Sequence, residues 1–324
     1  MKPFKSVLAP RLEEFFTYRR QLGYAQHPLL EYLKMLDRYL CEQKVTSEKL
    51  QPFFFLELRA NLKLQPSSVN RVIRTTRAVF NFMIRNDYCR QNPLKDIPPL
   101  AENVFIPFIF SPQQIDQLLA CVCKTIRKNL KYFLKDLGVH LVLALLARCG
   151  MRISEPLSLL RSHYRCDEAT VYIEKTKFKK DRLIPIPKSV VSEIENYLAV
   201  REKLLSDDRN PYLIAGVRGK KLDENRVRFV FHQAVKEIGL NQPSQTIGNT
   251  TFGSPTPHSL RHCFAVNTLK STKARGISPL RTLPVLATYM GHCHYTYTAK
   301  YLKLIDAEHR RGLARFTVSH KQDI

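Results

Sequence analysis

Apolar residues recur at helical spacing through most of the chain. Near the start, Leu12, Phe15, Phe16 and Leu22 follow Pro10, with Arg11, Arg19 and Arg20 among them, which predicts an amphipathic helix. Leu29, Leu30, Leu33, Leu36 and Leu40 form a second stripe close to the 3.6-residue period. A third stripe runs through SSVNRVIRTTRAVFNFMIRND, where Val69, Val72, Ile73, Val79, Phe80 and Met83 share a face. Ser67 or Ser68 is the expected N-cap, because a hydroxyl accepts a hydrogen bond from a free amide of the first turn. Asn70, Arg71, Arg74, Arg77 and Arg85 sit largely off the stripe. A helix with so many arginines presents either a solvated face or a surface that lies on phosphates.

The helical pattern then stops. QNPLKDIPPLAENVFIPFIFSP carries prolines at 93, 98, 99, 107 and 112, which forbid a helix through it. Residues 98–110 are therefore expected to link a helical domain of residues 1–97 to a second domain of residues 111–324. Ser111 followed by Pro112 is a strong helix start. Residues 131–149 read as an apolar helix ended by Gly150, and MRISEPLSL as a short helix after that turn. Residues 170–175 and 182–187 alternate and are rich in β-branched side chains, which predicts a hairpin turning at Phe178–Asp181. Further helices follow, one of them at 222–238. Residues 240–257 read as a loop before a helix starting near His258. The expected fold class is mainly α with a small antiparallel β-sheet.

Charge adds a partner. Lys and Arg number 52 against 28 Asp and Glu, a net charge of +24. Residues 1–100 hold 17 basic and 9 acidic side chains, so the excess is spread through folded-looking sequence and is not a tail. A balance this far from zero points first to a polyanion, nucleic acid, and second to an anionic membrane. The longest apolar stretch, Val139 to Ala147, includes His140 and is far too short to span a bilayer, and MKPFKSVLAPRLEEFF has no signal-peptide core. The eight cysteines are scattered without a CxxC pair, so free thiols in a reducing compartment are expected, with no zinc site. His292 with His294, or His163 with Cys166, lack a second ligand pair at suitable spacing, so no metal is expected.

Five short stretches carry candidate chemistry: Arg152 and Glu155 in GMRISEPL, Lys177 in EKTKFKKDRLIPI, His258 and Arg261 in PHSLRHCF, His292 in YMGHCHY, and Tyr301 nine residues after His292. Singly, each has an ordinary explanation as a surface, turn, polar-pair or core residue. In this order, the motifs RxSE, TKxxKxR, HxLRH and GH-x8-Y resemble the tyrosine recombinase (phage integrase) family, over residues 145–305 and more loosely through the helical N-terminal part. The resemblance implies a helical core-binding domain plus a tyrosine-recombinase catalytic domain, acting on double-stranded DNA without cofactor, metal or ATP.

It further implies that Tyr301 attacks phosphorus to form a 3′-phosphotyrosyl link and that Arg152 and Arg261 hold the non-bridging oxygens. Lys177 would protonate the leaving oxygen, with Lys179 or Lys180 as substitutes if the turn register slips. His258 would assist the nucleophile and His292 would bond the phosphate. The requirements agree with the chemistry. A guanidinium fork matches phosphate bidentately and does not titrate, and a tyrosine with pKa ~10 needs a base or a strong field to attack at neutral pH. Glu155, three residues after Arg152, is expected to hold the local geometry. Arg71, Arg74, Arg77, Lys179, Lys180 and Arg182 are expected DNA contacts, while His262, His294 and Cys263 are expected to pack or face solvent. The chain after Tyr301 is long enough to reach a neighbouring protomer, so a homo-oligomer (tetramer) on DNA, at the nucleoid in the cytoplasm, is the expected assembly. A site-specific recombinase of a mobile element or of chromosome-partitioning type heads the functional readings, with integration, excision or transposition of a mobile element as its expected task. A type IB topoisomerase-like relaxer and a non-catalytic DNA-binding protein with the same fold are the alternatives.

Overall fold

The structure is a computed structural model and describes residues 4–24, 26–48, 50–174, 181–205, 208–292 and 294–302. The chain divides into two compact units, residues 1–103 and 104–324.

The first unit is helical: α1 (Ala9–Gln21), α2 (Gln26–Glu42), α3 (Pro52–Asn61) and α4 (Pro66–Arg85). Their apolar stripes close on one core that includes Leu12, Phe15, Leu33, Leu36, Phe55, Ile73, Phe80 and Met83. Phe80 meets Phe55 edge-on with ring centroids 5.4 Å apart. Removing a buried ring of this kind costs about 3–5 kcal/mol. The start of α4 differs from expectation. Pro66 occupies the first turn, Gln65 is the cap residue, and no side chain caps it. Proline already has a helical φ and lacks one of the amides a cap would serve, so Ser67 and Ser68 fall inside the helix.

The proline-rich stretch is not a free tether. Ile97 is buried in the first core. Asn70 donates to the carbonyl of Leu100 at 2.9 Å and accepts from its amide at 2.8 Å, so the chain at Leu100 is pinned to α4. The chain then forms β1 (Val104–Ile106), and Phe110 is buried against Phe231 in the second core.

The second unit continues with α5 (Pro112–Lys124), α6 (Leu130–Cys149), α7 (Ser154–Ser158), β2 (Tyr164–Arg165), β3 (Thr170–Ile173) and β4 (Arg182–Pro185). It then runs through α8 (Lys188–Leu204), α9 (Glu224–Glu237), β5 (Gln245–Ile247), β6 (Thr250–Phe252), α10 (Pro257–Ala274) and α11 (Pro279–Met290). Ser111 caps α5 in a capping box with Gln114, as its sequence predicts. Helix α6 is apolar on nearly every side because it is the central helix, packed by both α8 and α10. One sheet has the order β2-β3-β4, antiparallel, with Val171 opposite Ile184. These two side chains face the core while Tyr172 and Leu183 point outward, so the period of two read from the sequence is the burial pattern. The second sheet has the order β1-β6-β5, with β1 parallel to β6. It corrects the reading of residues 240–257 as loop. Three-residue strands give little local signal, and β1 lies far away in sequence. Among the described residues no helix is long and apolar enough to cross a membrane, and none of the described cysteines is in a disulfide.

Candidate active site

Two helix ends build the site. Helix α6 stops at Gly150, whose φ is +58°. A β-carbon there would lie 2.3 Å from the ring of Phe264, so glycine is required both for the left-handed turn and for the space. Helix α11 stops at Gly291, with φ +65°, where a β-carbon would meet the Arg182 guanidinium at 2.9 Å.

Three arginines converge on the end of α11 and take successive backbone carbonyls. Arg182 Nε donates to the oxygen of Tyr289 at 2.8 Å, Arg261 Nη2 to that of Met290 at 2.6 Å, and Arg152 Nη2 to that of Gly291 at 2.9 Å. A helix C-terminus leaves its last carbonyls without intrahelical partners and carries partial negative charge, so cations suit it. Arg261 also donates to Gly150 O at 2.5 Å, which ties the two helix ends together.

Glu155 sits among these charges. Its oxygens accept from the Arg152 amide at 2.8 Å, from Arg152 Nη1 at 2.9 Å, and from Arg182 at 3.1 and 2.8 Å. Arg261 Nη1 lies 4.0 Å away. Burial raises the carboxyl's pKa, but the bonds and charge of Arg182, the Arg152 amide and the charge of Arg261 outweigh it, so Glu155 titrates below its ordinary range. Arg261 is 1% exposed. Burial, then the charge of Arg152, brings its pKa down to about 10, which leaves it cationic at neutral pH. Arg152 stays partly open to solvent.

The histidines and the tyrosine close the cluster. His292 Nε2 lies 3.2 Å from Arg261 Nη2 and its Nδ1 lies 2.8 Å from Thr298 Oγ1. A guanidinium can only donate, so Nε2 is the acceptor and the proton sits on Nδ1. Burial and the three arginines lower the His292 pKa to about 4, consistent with that neutral form. Tyr301, in helical residues 295–302, is 4% exposed, and its ring stacks on His292 with centroids 6.4 Å apart. Its rivals Tyr295 and Tyr297 are 47% and 48% exposed. Burial raises the Tyr301 pKa and the charges of Arg261 and Arg152 oppose the rise, so the phenol is protonated at neutral pH.

The side chain on the phenol oxygen is one that the sequence assigned to packing. His262 Nδ1 lies 3.1 Å from Tyr301 Oη. His258 stands behind it, edge to face on His262 with ring centroids 4.6 Å apart. The edge of His258 is exposed, yet surrounding protein and the charges of Arg261 and Arg152 lower its pKa to about 4. The signal for His262 was present in its spacing, since residues four apart share a helix face with His258.

The expected sites thus separate. Arg152, Glu155, His258, Arg261, His292 and Tyr301 come together. Lys177, Lys179 and Lys180 lie outside the described residues. Arg182 is a correction: expected on the surface with the hairpin lysines, it turns inward, its side chain 8% exposed, and spends its charge on Glu155 and α11. Arg77 is half-buried, and its guanidinium donates to the carbonyls of Leu94 at 3.0 Å and Ile97 at 2.7 Å, bracing the chain after α4. Arg71 and Arg74 are exposed. Cys263 is buried and accepts from the Phe110 amide, and His294 is exposed, in line with a packing or solvent role. Among the described residues no cluster of three His, Cys, Asp or Glu side chains could hold a metal ion.

Residues 109–308 match the phage integrase family. The chain belongs to that family. It is 27% identical over 300 residues to the tyrosine recombinase XerA of Thermococcus kodakarensis, covering 93% of this chain and 92% of that one. It is 26% identical over 302 residues to y4rB of Sinorhizobium fredii, provisionally named an integrase/recombinase, covering 92% and 93%. Its fold is similar to that of the XerH site-specific recombinase bound to palindromic difH substrate, with TM-score 0.67 at 16% identity, over 94% of this chain and 83% of that one. The family expected from the ordered motifs is the family found, and with it come the fold and the enzyme class, a tyrosine-type recombinase.

Proposed function

We propose that this chain cuts and rejoins double-stranded DNA at a specific site through a 3′-phosphotyrosyl intermediate on Tyr301, without metal or ATP. The observation that carries the reading is the gathering of a single buried tyrosine, two histidines and two arginines on one helix end. Arg152 and Arg261 bind the non-bridging oxygens of the scissile phosphate and neutralise the charge that grows on them. Glu155 and Arg182 fix their angle. The Tyr301 oxygen bonds phosphorus as the bond to the 5′ oxygen breaks, and Lys177 supplies that oxygen's proton. The link conserves the bond energy, so reversal needs no nucleotide.

In this reading the helical unit, residues 1–97, is the core-binding domain, residues 98–110 are the connection and the rest is catalytic. Exposed Arg71 and Arg74, with Lys179 and Lys180, neutralise flanking phosphates. Protomers assemble on DNA, to a tetramer, through the chain after Tyr301. An apolar groove of about 400 Å³ lined by Ile186, Phe264, Val285 and Tyr289 supports this, since it offers such a segment a seat. The biological task is integration, excision or transposition of a mobile element, carried out at the nucleoid. The relative named an integrase/recombinase supports that choice.

A nicked suicide substrate carrying the target site tests the chemistry. A covalent adduct should form in EDTA and map to Tyr301. An adduct on Tyr295 or Tyr297, or none without added metal, would overturn the assignment.

A further inference from the structure

Tyr301 presents a chemical problem that the arginines do not solve. Its phenol is buried and protonated, and the proton must leave as the oxygen attacks. Arginine and lysine, being cationic, cannot take it. Among the described side chains around the phenol, an imidazole can accept a proton, and His262 lies within hydrogen-bonding distance of the oxygen, with Nδ1 at 3.1 Å.

We propose that His262 is the general base of the cleavage step, receiving the Tyr301 proton on Nδ1. The inference rests on Tyr301 being the nucleophile. As Tyr301 Oη bonds phosphorus, the phenolic proton passes to Nδ1 and leaves an imidazolium. The electron pair of the breaking P–O bond goes to the 5′ oxygen, which is protonated by the acid of the site. In rejoining, the 5′ hydroxyl attacks, its proton returns to that acid, and His262 gives its own back to the phenol.

The surroundings make this base conditional on DNA. His262 faces His258 and Arg261 on its own helix, His292 after α11, and Tyr301. Burial first, then His258, Arg261 and His292, lower its pKa to about 3. It is therefore a neutral acceptor at physiological pH, and a poor one, while the pocket holds no phosphate. A phosphodiester between Arg152 and Arg261 cancels part of that positive field and raises the affinity of Nδ1 for a proton. The base is strongest when its substrate is in place. His258 packs edge to face on His262, with ring centroids 4.6 Å apart, one ring further out than the base.

The test is the rate of adduct formation by the full chain on two suicide substrates. One is normal, and the other carries sulfur at the 5′ bridging position, a leaving group that needs no acid. Wild type, His262→Ala, His262→Asn and Tyr301→Phe are compared from about pH 5 to 9, after checking that each variant still binds the site. Asn places an amide near the position of Nδ1, so it can hold the phenol but cannot take its proton. It also carries the experiment if the Ala variant does not fold. Losing a general base slows reaction by about 10²–10⁴-fold. That loss is expected for Ala and Asn alike, on both substrates, with a rate that now climbs with hydroxide where the wild type levels off. Added imidazole should restore part of the Ala rate. Recovery of the wild-type rate and pH profile by His262→Asn would overturn the proposal in favour of simple positioning, and so would an unaffected His262→Ala. An adduct formed by Tyr301→Phe would instead remove the nucleophile assignment on which it stands.

Discussion

Helix α4 of the first unit and the end of α11 in the second both gather arginines, and they use them in opposite ways. On α4, Arg71 and Arg74 are exposed, while Arg77 is committed to two carbonyls. Around α11, Arg261 is fully buried, Arg182 nearly so, and each is fixed by backbone oxygens and Glu155. A solvated guanidinium holds phosphate weakly and anywhere, because water screens it and its side chain is free to move. A buried one costs desolvation in advance but sits where charge will develop. On the proposed function the first arrangement would serve affinity and the second chemistry, with packing deciding which role the same residue type takes.

Substitutions should separate the two roles. The largest effect belongs to Tyr301→Phe, which should abolish the covalent adduct in a denaturing gel and leave site affinity unchanged, because one hydroxyl is lost. Arg261→Lys should slow adduct formation by about 10²–10³-fold, since an ammonium cannot reproduce a fork held by two carbonyls. Single-turnover kinetics at saturating DNA measure it, and a change confined to affinity would erase the contrast with α4. Glu155→Gln leaves three cations without their counter-charge and should lower stability by about 3–5 kcal/mol in denaturant titration.

Acid should also act on the second unit selectively. His262 and His292 have folded pKa values of about 3 and 4, below the unfolded value of ~6.5. Between these limits the unfolded chain binds more protons than the folded one, so stability falls as pH drops below about 6.5, by up to about 1.4 kcal/mol per pH unit for each ring. Glu155, with its lowered pKa, keeps its contribution above the unfolded carboxylate range and loses it only as pH falls through the folded value. Hydrogen exchange at pH 5 should therefore speed up in α10 before α4. The smallest effect is expected for Arg71→Ala combined with Arg74→Ala. The salt slope of DNA affinity should drop by about 0.9 for each phosphate that is no longer neutralised, with the adduct rate at saturating DNA unchanged.

Much of this arrangement was legible in the sequence. Periodic stripes located α1, α2 and α4, the Ser-Pro start located α5, and alternation located β3 and β4. The ordered motifs brought out the residues that converge on the site. What stayed hidden depends on partners distant in sequence. Helix α11 carries Pro284 in its interior, which argues locally against a helix, yet Leu283, Leu286 and Met290 are buried and packing prevails. Strands β5 and β6 need β1, from the other end of the unit. Arg182 reads as one more hairpin cation until the fold brings it to Tyr289. His262 reads as a packing residue until Tyr301, 39 positions later, reaches it.

The anchoring of the arginines to Tyr289, Met290 and Gly291 goes through main-chain oxygens, which every residue type possesses. The side chains of Tyr289 and Met290 are held by packing, against Phe264 and in the core, and not by the arginines they anchor. Adding or removing one residue within α11 turns its last carbonyls by about 100° about the helix axis. All three arginines would lose their acceptors in a single event, so a change in the length of this helix should slow adduct formation more than a substitution at its end.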